Sequence, residues 1–458
     1  MKHLGDITKI NGAEAPVVNV IIGGSPCQDL SLAGKRKGLT GERSGLFMEQ
    51  LRIIKEMREA DEARGRTDEH IRPRFMVWEN VPGAFSTNGG KDFGAVLHET
   101  VKIACHNAPP VPMFGNKWAK SGCLVDVDGK WSIAWRVFDA QFWGVPQRRR
   151  RIALVADFGG QSAPEILFER KSVSRDFEES ETAWKRAAAD FEKRLEQQAL
   201  GTQDGYNRSI QLAIALENHP NDSRIKLSKD NVIQTLSKRM GTGGGNTPMI
   251  LEKHIPCSWD GGQISPTLTK SNATGQQRMP DNNNFNAVIA LDRASFNHWK
   301  NAQYDFEVSE SGINSSLVAR GPSAVCSKEK SERERYIVRR LTPLECERLQ
   351  GFPDGWTDIG EWTDSKGKLH KESSDSARYA ALANSIALPS WFYVLSKLSE
   401  FCEEKTMASL FDGIGGFPLI WETLNGKGSC LWASEIEEFP IAVTKHHFPD
   451  EEKEKQGD

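Results

Sequence analysis

The residues best suited to covalent chemistry stand at the ends of two apolar runs in the first part of the chain. Cys27 lies in "NVIIGGSPCQDLS" (19–31), where a strand-like run breaks into Gly-Gly-Ser-Pro before the thiol. Glu79 lies near the end of "RFMVWEN" (74–80), a second strand-like run. Because ligand sites of open α/β sheets lie at the carboxyl ends of strands, we expect both side chains at one edge. A thiolate nucleophile and a carboxyl group that can donate a proton form a pair for covalent catalysis.

The surroundings of Cys27 favour ionisation of its thiol. A free cysteine has a pKa of about 8.5, so only a few per cent is thiolate at neutral pH. The cationic run "GKRKG" (34–38) follows closely and raises that fraction. The eight cysteines include no Cys-x-x-Cys pair, which argues against a disulfide framework and against a zinc cluster. We therefore predict a free thiol at Cys27, no metal, and a reducing cytoplasm.

A second informative stretch comes late in the chain, in "MASLFDGIGGF" (407–417). A strand, a glycine turn and a helix bring backbone close to a ligand, but Pro418 stands where a dinucleotide fingerprint needs its last glycine. Glu435 ends the next predicted strand, where an acid accepts the hydroxyls of a ribose. S-adenosylmethionine, a nucleoside without phosphate, fits this pattern. A tight turn in which Asp412 caps the helix is the alternative that these residues leave open.

Strands alternate with helices in the parts of the chain that carry these motifs. The run "VVNVII" (17–22) has the apolar, β-branched residues of a parallel strand covered on both faces. Helical spacing follows at 44–60, where Ser44 is the predicted N-cap, and again at 92–105. The stretches "WSIAWRVFDA" and "RIALVADF" add two strands. We therefore expect an α/β fold with a doubly wound, mostly parallel sheet.

The pattern changes from about residue 158. Apolar spacing predicts one amphipathic helix over 181–199. Residues 200–330 are rich in Gly, Asn, Ser and Thr, with short strand-like pieces and polar, glycine-containing tips that carry cations. Such tips suit either solvent-exposed hairpin turns or the reading of base edges in a DNA groove.

Regular structure is predicted again after this region. In "RRLTPLECERLQGFP", Thr342 caps a short helix, Glu345 reaches back to form a capping box, and Gly351 ends it. The stretch 377–402 predicts a mostly buried helical segment that is interrupted at Pro389.

Charge is locally concentrated in a chain whose formal net charge is only −3. Cations cluster in "GKRKG", in "QRRRR" (147–151) and in "VRR" (338–340), each beside another unusual motif. These three clusters favour a surface that meets phosphates. No apolar run approaches the roughly 20 residues that span a bilayer, and the start lacks the apolar stretch of a secretory signal. We therefore expect a cytoplasmic protein without a membrane contact.

Taken together, these blocks resemble the motifs of DNA (cytosine-5) methyltransferases. The resemblance rests on "GGSPCQDLS", "ENVPG", "QRRRRIALVA", "RRLTPLECERLQGFP", "ANS" and "FDGIGGF", and leaves out only about 158–330. It implies that Cys27 attacks carbon 6 of a cytosine while Glu79 hydrogen-bonds and protonates ring nitrogen 3. It also implies that Arg149 and Arg151, in the family's Q-x-R-x-R pattern, hold the base and a nearby phosphate. The expected product is 5-methylcytosine in a specific duplex DNA sequence, made on a base swung out of the helix.

The resemblance further implies S-adenosylmethionine as the cofactor and a methyltransferase-type fold with a smaller, irregular, β-rich target-recognition domain. It assigns the cofactor pocket to Phe411, Asp412, Gly413 and Gly415 at the methionine end, Glu435 at the ribose, Asp6 at adenine, and also Pro26, Asn384 and Ser385. Ala383 departs from the Gly-Asn-Ser that family members usually carry there.

The order of the motifs also departs from the family, in which the cofactor motif precedes the cysteine. Read as a circle, the end of this chain runs into its start and restores the usual order, so we predict a circular permutant. The predicted division is a first catalytic segment (1–157), a target-recognition domain (158–338), a connecting segment (339–375) and a second catalytic segment (376–458).

Three other interpretations are considered. An RNA cytosine methyltransferase would share the chemistry, but the long recognition region argues against it. A sequence-specific DNA-binding protein that has lost catalysis is disfavoured because all the chemical residues are present. A required partner subunit is unnecessary for the same reason, so we expect a monomer encoded by a bacterium or a phage.

Overall fold

The computed structural model describes most of the two predicted catalytic segments and part of the region between them. The described residues are 1–26, 45–113, 115, 117–168, 213–218, 225–228, 232–236, 240, 248–254 and 335–450. Cys27, the run at 34–38, Ser44 and the predicted helix at 181–199 lie outside them, as do most of the glycine-rich tips.

Strands occur throughout the described residues. In chain order they are β1 (Lys2–His3), β2 (Val20–Gly23), β3 (Phe75–Asn80), β4 (Ser121–Val125), β5 (Ser132–Asp139), β6 (Arg150–Asp157), β7 (Ala213–Asn218), β8 (Ile225–Leu227), β9 (Met249–His254), β10 (Arg335–Arg340), β11 (Trp362–Thr363), β12 (Leu369–His370), β13 (Met407–Leu410) and β14 (Cys430–Ser434).

The largest sheet joins eight strands in the order β1-β14-β13-β2-β3-β6-β5-β4. The strands from β1 to β3 in this order pair in parallel, whereas β6, β5 and β4 are added by antiparallel pairing. Val20, Ile21 and Ile22 in the middle of the sheet are fully buried, as expected of a β-branched strand covered on both faces. The prediction of a mostly parallel α/β sheet is confirmed.

Helices cover both faces of this sheet. They are α1 (Leu46–Ala63), α2 (Lys91–Ala104), α3 (Ala163–Leu167), α4 (Pro343–Gln350), α5 (Asp375–Asn384), α6 (Leu388–Glu400), α7 (Gly416–Asn425) and α8 (Glu438–His447). Buried side chains of α1 and α2 pack with Ile21 and Trp78 on one face. Those of α3, α6 and α7 pack with Ile22 and Val77 on the other. This arrangement is the predicted doubly wound sheet.

The helix ends follow local sequence signals. Thr342 and Glu345 form the predicted capping box, and Gly351 ends α4 with a left-handed φ of 78°. The break in the stretch 377–402 lies at residues 385–387 rather than at Pro389, which occupies the first turn of α6. Proline is tolerated there because the first N–H groups of a helix have no partner within it.

The start of the chain pairs with its end. β1 lies parallel to β14, and Leu4 N donates to the carbonyl of Ala433 at 2.9 Å. The ammonium group of Met1 donates to the carbonyl of Pro449 at 3.1 Å. One sheet is therefore built from residues that are more than 400 positions apart.

The region after β6 contributes smaller elements. A four-stranded antiparallel sheet has the order β10-β9-β7-β8, and β11 pairs with β12 in a short hairpin. Helix α3 packs against β5 and β6, so this helix, which the sequence division puts after residue 157, contacts the catalytic sheet. The domain limits remain predictions. Within the described residues, no helix has the length and apolar character needed to cross a membrane.

Candidate active site

The carboxyl ends of the parallel strands form one edge of the large sheet, and predicted site residues lie along it. In the order of the strands, the edge carries Asp6 after β1, Glu435 after β14, Phe411 to Gly413 after β13, Pro26 after β2 and Glu79 near the end of β3. Because β13 pairs with β2, the glycine turn from the end of the chain lies beside the segment that leads to Cys27. The strand-end argument predicted this edge for Glu79 and the segment that leads to Cys27, whereas Asp6 and Pro26 were assigned through the family resemblance.

Arg151 binds one carboxyl oxygen of Glu79, and the other carboxyl oxygen faces Gly24. Arg151 Nε lies 2.7 Å from Glu79 Oε1, and both side chains are mostly buried. A Cβ atom added to Gly24 would lie 3.2 Å from Glu79 Oε2. The second oxygen therefore faces the backbone three residues before Cys27, and glycine at position 24 leaves room for it.

Ser25 is a buried residue that sequence analysis did not single out. Trp78 donates its indole N–H to Ser25 Oγ at 3.0 Å, and Asn80 donates its amide N–H to the same oxygen at 3.1 Å. Both donors come from β3, one on each side of Glu79. They fix the backbone two residues before Cys27 relative to the carboxyl group. The only sequence signal was a polar Asn80 inside the same motif as Glu79.

The glycine turn orients the acid that follows β14. Gly413 N donates to Glu435 Oε2 at 2.8 Å, and φ at Gly413 is 58°. Glu435 Oε1 accepts from the backbone N–H groups of Ile436 at 2.7 Å and Glu437 at 2.9 Å. Three backbone donors therefore fix the Glu435 carboxylate at the turn.

The far side of the turn packs against the connecting segment and the last helix. Trp356 donates its indole N–H to the carbonyl of Ile414 at 2.8 Å. A Cβ atom at Gly415 would lie 2.8 Å from Phe448 Cε2, and φ there is 79°, so this position requires glycine. Trp356 was not identified from the sequence, because its partner lies 58 residues away.

The turn leaves room for a ligand of nucleoside type. No described atom lies within 4 Å of a Cβ added to Gly413, so the turn has open space on that side. Ile436, next to Glu435, has 67% of its surface exposed and offers an apolar face to a purine. Asp6 accepts from Thr8 N at 3.0 Å, and this bond lowers the pKa of the carboxyl group. An open turn, a carboxylate and an exposed apolar side chain suit the sugar and base of S-adenosylmethionine.

A comparison with models of known protein families shows which family the chain belongs to. The model of the C-5 cytosine-specific DNA methylases matches residues 1–109 and 124–400. The chain belongs to this family. The family prediction made from the motifs is confirmed.

Several curated proteins resemble the chain along much of its length. It is 26% identical over 454 residues to the DNA N-6-adenine-methyltransferase of Escherichia phage P1. That alignment covers 88% of this chain and 56% of the phage protein. It is 24% identical over 389 residues to the orphan methyltransferase M.SPRI of Bacillus phage SPR, covering 77% of each. It is 23% identical over 402 residues to the type II methyltransferase M1.ScrFI of Lactococcus lactis subsp. cremoris, covering 87% of this chain and 67% of that protein. The chain thus spans little more than half of the phage P1 protein.

Solved methyltransferase structures resemble the chain more weakly. The S. pombe Dnmt2 methyltransferase has a TM-score of 0.35 at 12% identity, covering 86% of this chain and 82% of that one. The Entamoeba histolytica methyltransferase EhMeth has a TM-score of 0.33 at 12% identity, covering 83% and 78%. Similarity at this level carries no argument about the site, which rests on the geometry above.

The Q-x-R-x-R segment contacts the residues on either side of Asn384. Arg149 is almost fully buried, and its Nη2 donates to the carbonyl of Ala383 at 3.1 Å and to that of Ser385. Asn384, between them, is exposed. Arg149 therefore joins β6 to the end of α5, and a role at the flipped base remains a prediction for it.

The described cysteines make poor alternatives to Cys27. Burial raises the pKa of the Cys402 thiol to about 12, and it raises the pKa values of Cys346 and Cys430 strongly. A buried thiol with a raised pKa is not a nucleophile at neutral pH. Cys105 and Cys123 are more accessible but lie away from the carboxyl edge, at the end of α2 and in β4.

We expect Trp78→Phe to lower the single-turnover rate of methyl transfer about 3- to 10-fold without changing the affinity for S-adenosylmethionine. Phenylalanine keeps the apolar ring but loses the N–H that binds Ser25, and one hydrogen bond contributes about 0.5–1.5 kcal/mol net. Quenched-flow methyl transfer and calorimetric titration of the cofactor measure the two quantities.

Trp135→Phe is the matched control. Trp135 belongs to the same apolar cluster as Trp78, but its indole donates to the carbonyl of Ala119 at 3.1 Å. A similar rate loss in both variants would mean that packing, and not the contact with Ser25, is responsible. A Trp78→Phe/Ser25→Ala double variant should be no slower than Ser25→Ala alone, because both changes remove the same bond.

Asp412 is buried in the glycine turn with an incomplete set of partners. Asp412 Oδ1 accepts from Ser409 Oγ at 2.5 Å, while Oδ2 is buried and meets no hydrogen-bond donor among the described residues. Burial raises the pKa of the Asp412 carboxyl group to about 8, and the charge of Glu435 adds to the increase. The group is therefore mostly protonated at neutral pH.

This pKa predicts a pH dependence of stability. Between pH 4 and 8 the folded protein holds a proton on Asp412 that the unfolded chain has released, so the free energy of unfolding falls as the pH rises through this window. We expect Asp412→Asn to remove this part of the slope, since asparagine stays neutral. Urea unfolding of both proteins from pH 5 to pH 8.5 measures it, and parallel slopes would contradict the assignment.

Proposed function

We propose that the chain transfers a methyl group from S-adenosylmethionine to carbon 5 of a cytosine in duplex DNA. The observation that carries the proposal is the pairing of β13 with β2, which puts the glycine turn after β13 beside the segment that leads to Cys27. β2 also pairs with β3, which carries Glu79. Membership of the cytosine-specific DNA methylase family supplies the substrate base.

Each residue has a stated part in the reaction. The Cys27 thiolate forms a bond to carbon 6 of the cytosine, and Glu79 gives a proton to ring nitrogen 3, so that carbon 5 becomes the nucleophile. After carbon 5 has gained the methyl group, a base removes the proton of carbon 5, the bond from Cys27 to carbon 6 breaks, and ring nitrogen 3 returns its proton to Glu79. Arg151 binds Oε1 of Glu79, which leaves Oε2 on the side of Gly24, three residues before Cys27.

The cofactor would lie along the other half of the edge. When bound, S-adenosylmethionine supplies an electrophilic methyl group on its sulfonium. Glu435 would bind the ribose, Asp6 the adenine, and the Phe411–Gly415 turn the methionine end, with Pro26, Asn384 and Ser385 completing the pocket. The open space at Gly413 and the exposed Ile436 support this orientation.

The substrate must be a base that has left the helix, because carbon 6 is not reachable within stacked DNA. We assign target recognition to the region 158–338, whose described strands β7 to β10 form a sheet of their own. The contact of α3 with β5 and β6 favours a start after Leu167 for that domain. We propose that the methylase acts as a monomer.

We also propose that the chain is a circularly permuted member of the family. The pairing of β1 with β14 and the contact of Met1 with Pro449 support it, because they join the two ends of the chain at the surface. The family match ends at residue 400, before the strand that leads to FDGIGG, as expected if that part is displaced in this chain.

Expression in a host without DNA methylation tests the activity. Digestion of the DNA followed by mass spectrometry separates 5-methylcytosine from N6-methyladenine, the base in the name of the phage P1 relative. We expect 5-methylcytosine in DNA, absent with Cys27→Ser, and bisulfite sequencing then gives the target sequence. N6-methyladenine alone would contradict the proposal, and 5-methylcytosine confined to RNA of the same cells would favour the RNA enzyme.

A further inference from the structure

The segment that leads into the Q-x-R-x-R motif alternates between buried and exposed side chains. Its buried members are Trp143, Val145, Gln147 and Arg149. Its exposed members are Phe142, Gly144, Arg148 and Arg150. One face of the segment therefore presents an aromatic ring and two guanidinium groups to solvent. We call these exposed residues the Phe142 stripe.

Phe142 is exposed on a firmly held turn. Its side chain has 61% of its surface exposed, and among the exposed large hydrophobic side chains of the described residues it is the one aromatic. The turn Ala140–Phe142 begins at Asp139, whose Oδ2 accepts from Gln141 Nε2 at 2.8 Å and from Arg150 Nε at 3.0 Å. An aromatic ring that is neither buried nor on a loose loop is available for a partner.

The stripe lies beside the candidate active site. β5 runs parallel to β3, since both pair antiparallel with β6, so Asp139 ends β5 at the edge that carries Glu79. In the register of the sheet Asp139 pairs with Arg150, and the next residue, Arg151, contacts Glu79. Phe142 therefore follows the strand end at the catalytic edge.

The same segment contacts the recognition region. Ile233 N donates to the carbonyl of Pro146 at 2.8 Å, and Arg148 N donates to the carbonyl of Ile233 at 2.9 Å. Thr235 donates its hydroxyl to the carbonyl of Arg148. The Phe142 stripe is thus continuous with both the catalytic edge and the part of the protein assigned to target reading.

We propose that the Phe142 stripe is a DNA contact in which Phe142 stacks on a base next to the flipped cytosine. This inference rests on the proposed function. Extrusion of the target exposes the faces of its neighbours in the stack, and an apolar side chain at that gap replaces the lost stacking. Arg148 and Arg150 flank the ring with positive charge for the adjoining phosphates, and 66% of the Arg150 side chain is exposed. An aromatic ring interleaved with arginines suits unstacked nucleotides.

Phe142→Ala and Phe142→Trp test the proposal on a duplex that carries the mapped target. We expect the alanine variant to bind this duplex at least about fivefold more weakly, since stacking on one base is worth about 5- to 150-fold in affinity, while tryptophan preserves affinity. Cofactor affinity should be unchanged in both. With 2-aminopurine beside the target cytosine, the wild-type protein should quench the fluorescence more strongly than the alanine variant does.

Val127→Ala is the matched control. Val127 has 99% of its surface exposed and lies in the turn before β5, at the opposite edge of the sheet. Its loss should leave DNA binding unchanged. Wild-type affinity and quenching in Phe142→Ala would overturn the proposal, as would an equal loss of cofactor affinity, which would indicate a folding defect. Absence of 5-methylcytosine with the wild-type protein would instead remove the proposed function.

Discussion

We expect Cys27→Ser to abolish methyl transfer while binding to duplex DNA survives. A serine hydroxyl is not ionised at neutral pH without an activating base, so no nucleophile would attack carbon 6. Removal of an essential nucleophile lowers turnover on the order of 10⁴-fold or more. Radiolabelled methyl transfer gives the rate, and a fluorescence-anisotropy titration with a target duplex gives the affinity.

Cys123→Ser is the control for this change. Cys123 is an exposed cysteine in β4, so the same exchange there should leave the rate intact. Residual turnover of Cys27→Ser above a tenth of the wild-type rate would remove the covalent mechanism. A loss of DNA binding in this variant would point to a structural effect of the substitution.

The second large effect is expected for Glu79→Gln. Glutamine can still accept from Arg151 but cannot give a proton to ring nitrogen 3, so the covalent step loses its acid. General acid catalysis contributes about 10²- to 10⁴-fold, and we expect kcat to fall by that factor. The dissociation constant of S-adenosylmethionine should change little, because Glu435 and the glycine turn follow the separate strands β14 and β13.

Glu404→Gln is the control that shows how far the loss of a carboxylate–arginine pair by itself lowers kcat, without the loss of the proton donor Glu79. Glu404 also binds an arginine, with Arg72 Nη1 at 2.6 Å, but it precedes β13 and lies at the opposite edge of the sheet. It should retain full kcat. Equal losses of kcat in the two variants, or a parallel loss of cofactor affinity in Glu79→Gln, would assign Glu79 to another role.

The parts of the fold that follow local rules were predictable. The capping box at Thr342, the buried strand that contains Ile21 and the turn at Gly413 each depend on neighbours in sequence. A signal of this kind is complete within one short stretch, so it can be identified before the fold is known.

The contacts that organise the site were not predictable in the same way. Ser25 and Trp78 are 53 residues apart, and Trp356 and Ile414 are 58 apart, so their bonds exist only once the sheet has formed. Phe142 was passed over for a related reason. Its sequence context gives no sign that Trp143 turns inward and leaves its neighbour in solvent.

The break in the helical stretch 377–402 was predicted only approximately. Proline suggested an interruption at Pro389, yet proline at the start of a helix costs little, and the chain turns earlier, at 385–387. The carbonyl of Ser385, freed by that turn, accepts from Arg149. The local signal located the interruption to within a few residues, and the tertiary contact fixed it.

The most direct measurement uses a target duplex in which 5-fluorocytosine replaces cytosine. Because fluorine cannot leave carbon 5 as a proton does, a covalent adduct formed through carbon 6 persists. We predict a one-to-one adduct of protein and DNA that requires S-adenosylmethionine, with the DNA attached to the peptide that contains Cys27. An adduct on another residue, or methylation of ordinary cytosine without any adduct on the fluorinated duplex, would contradict the account.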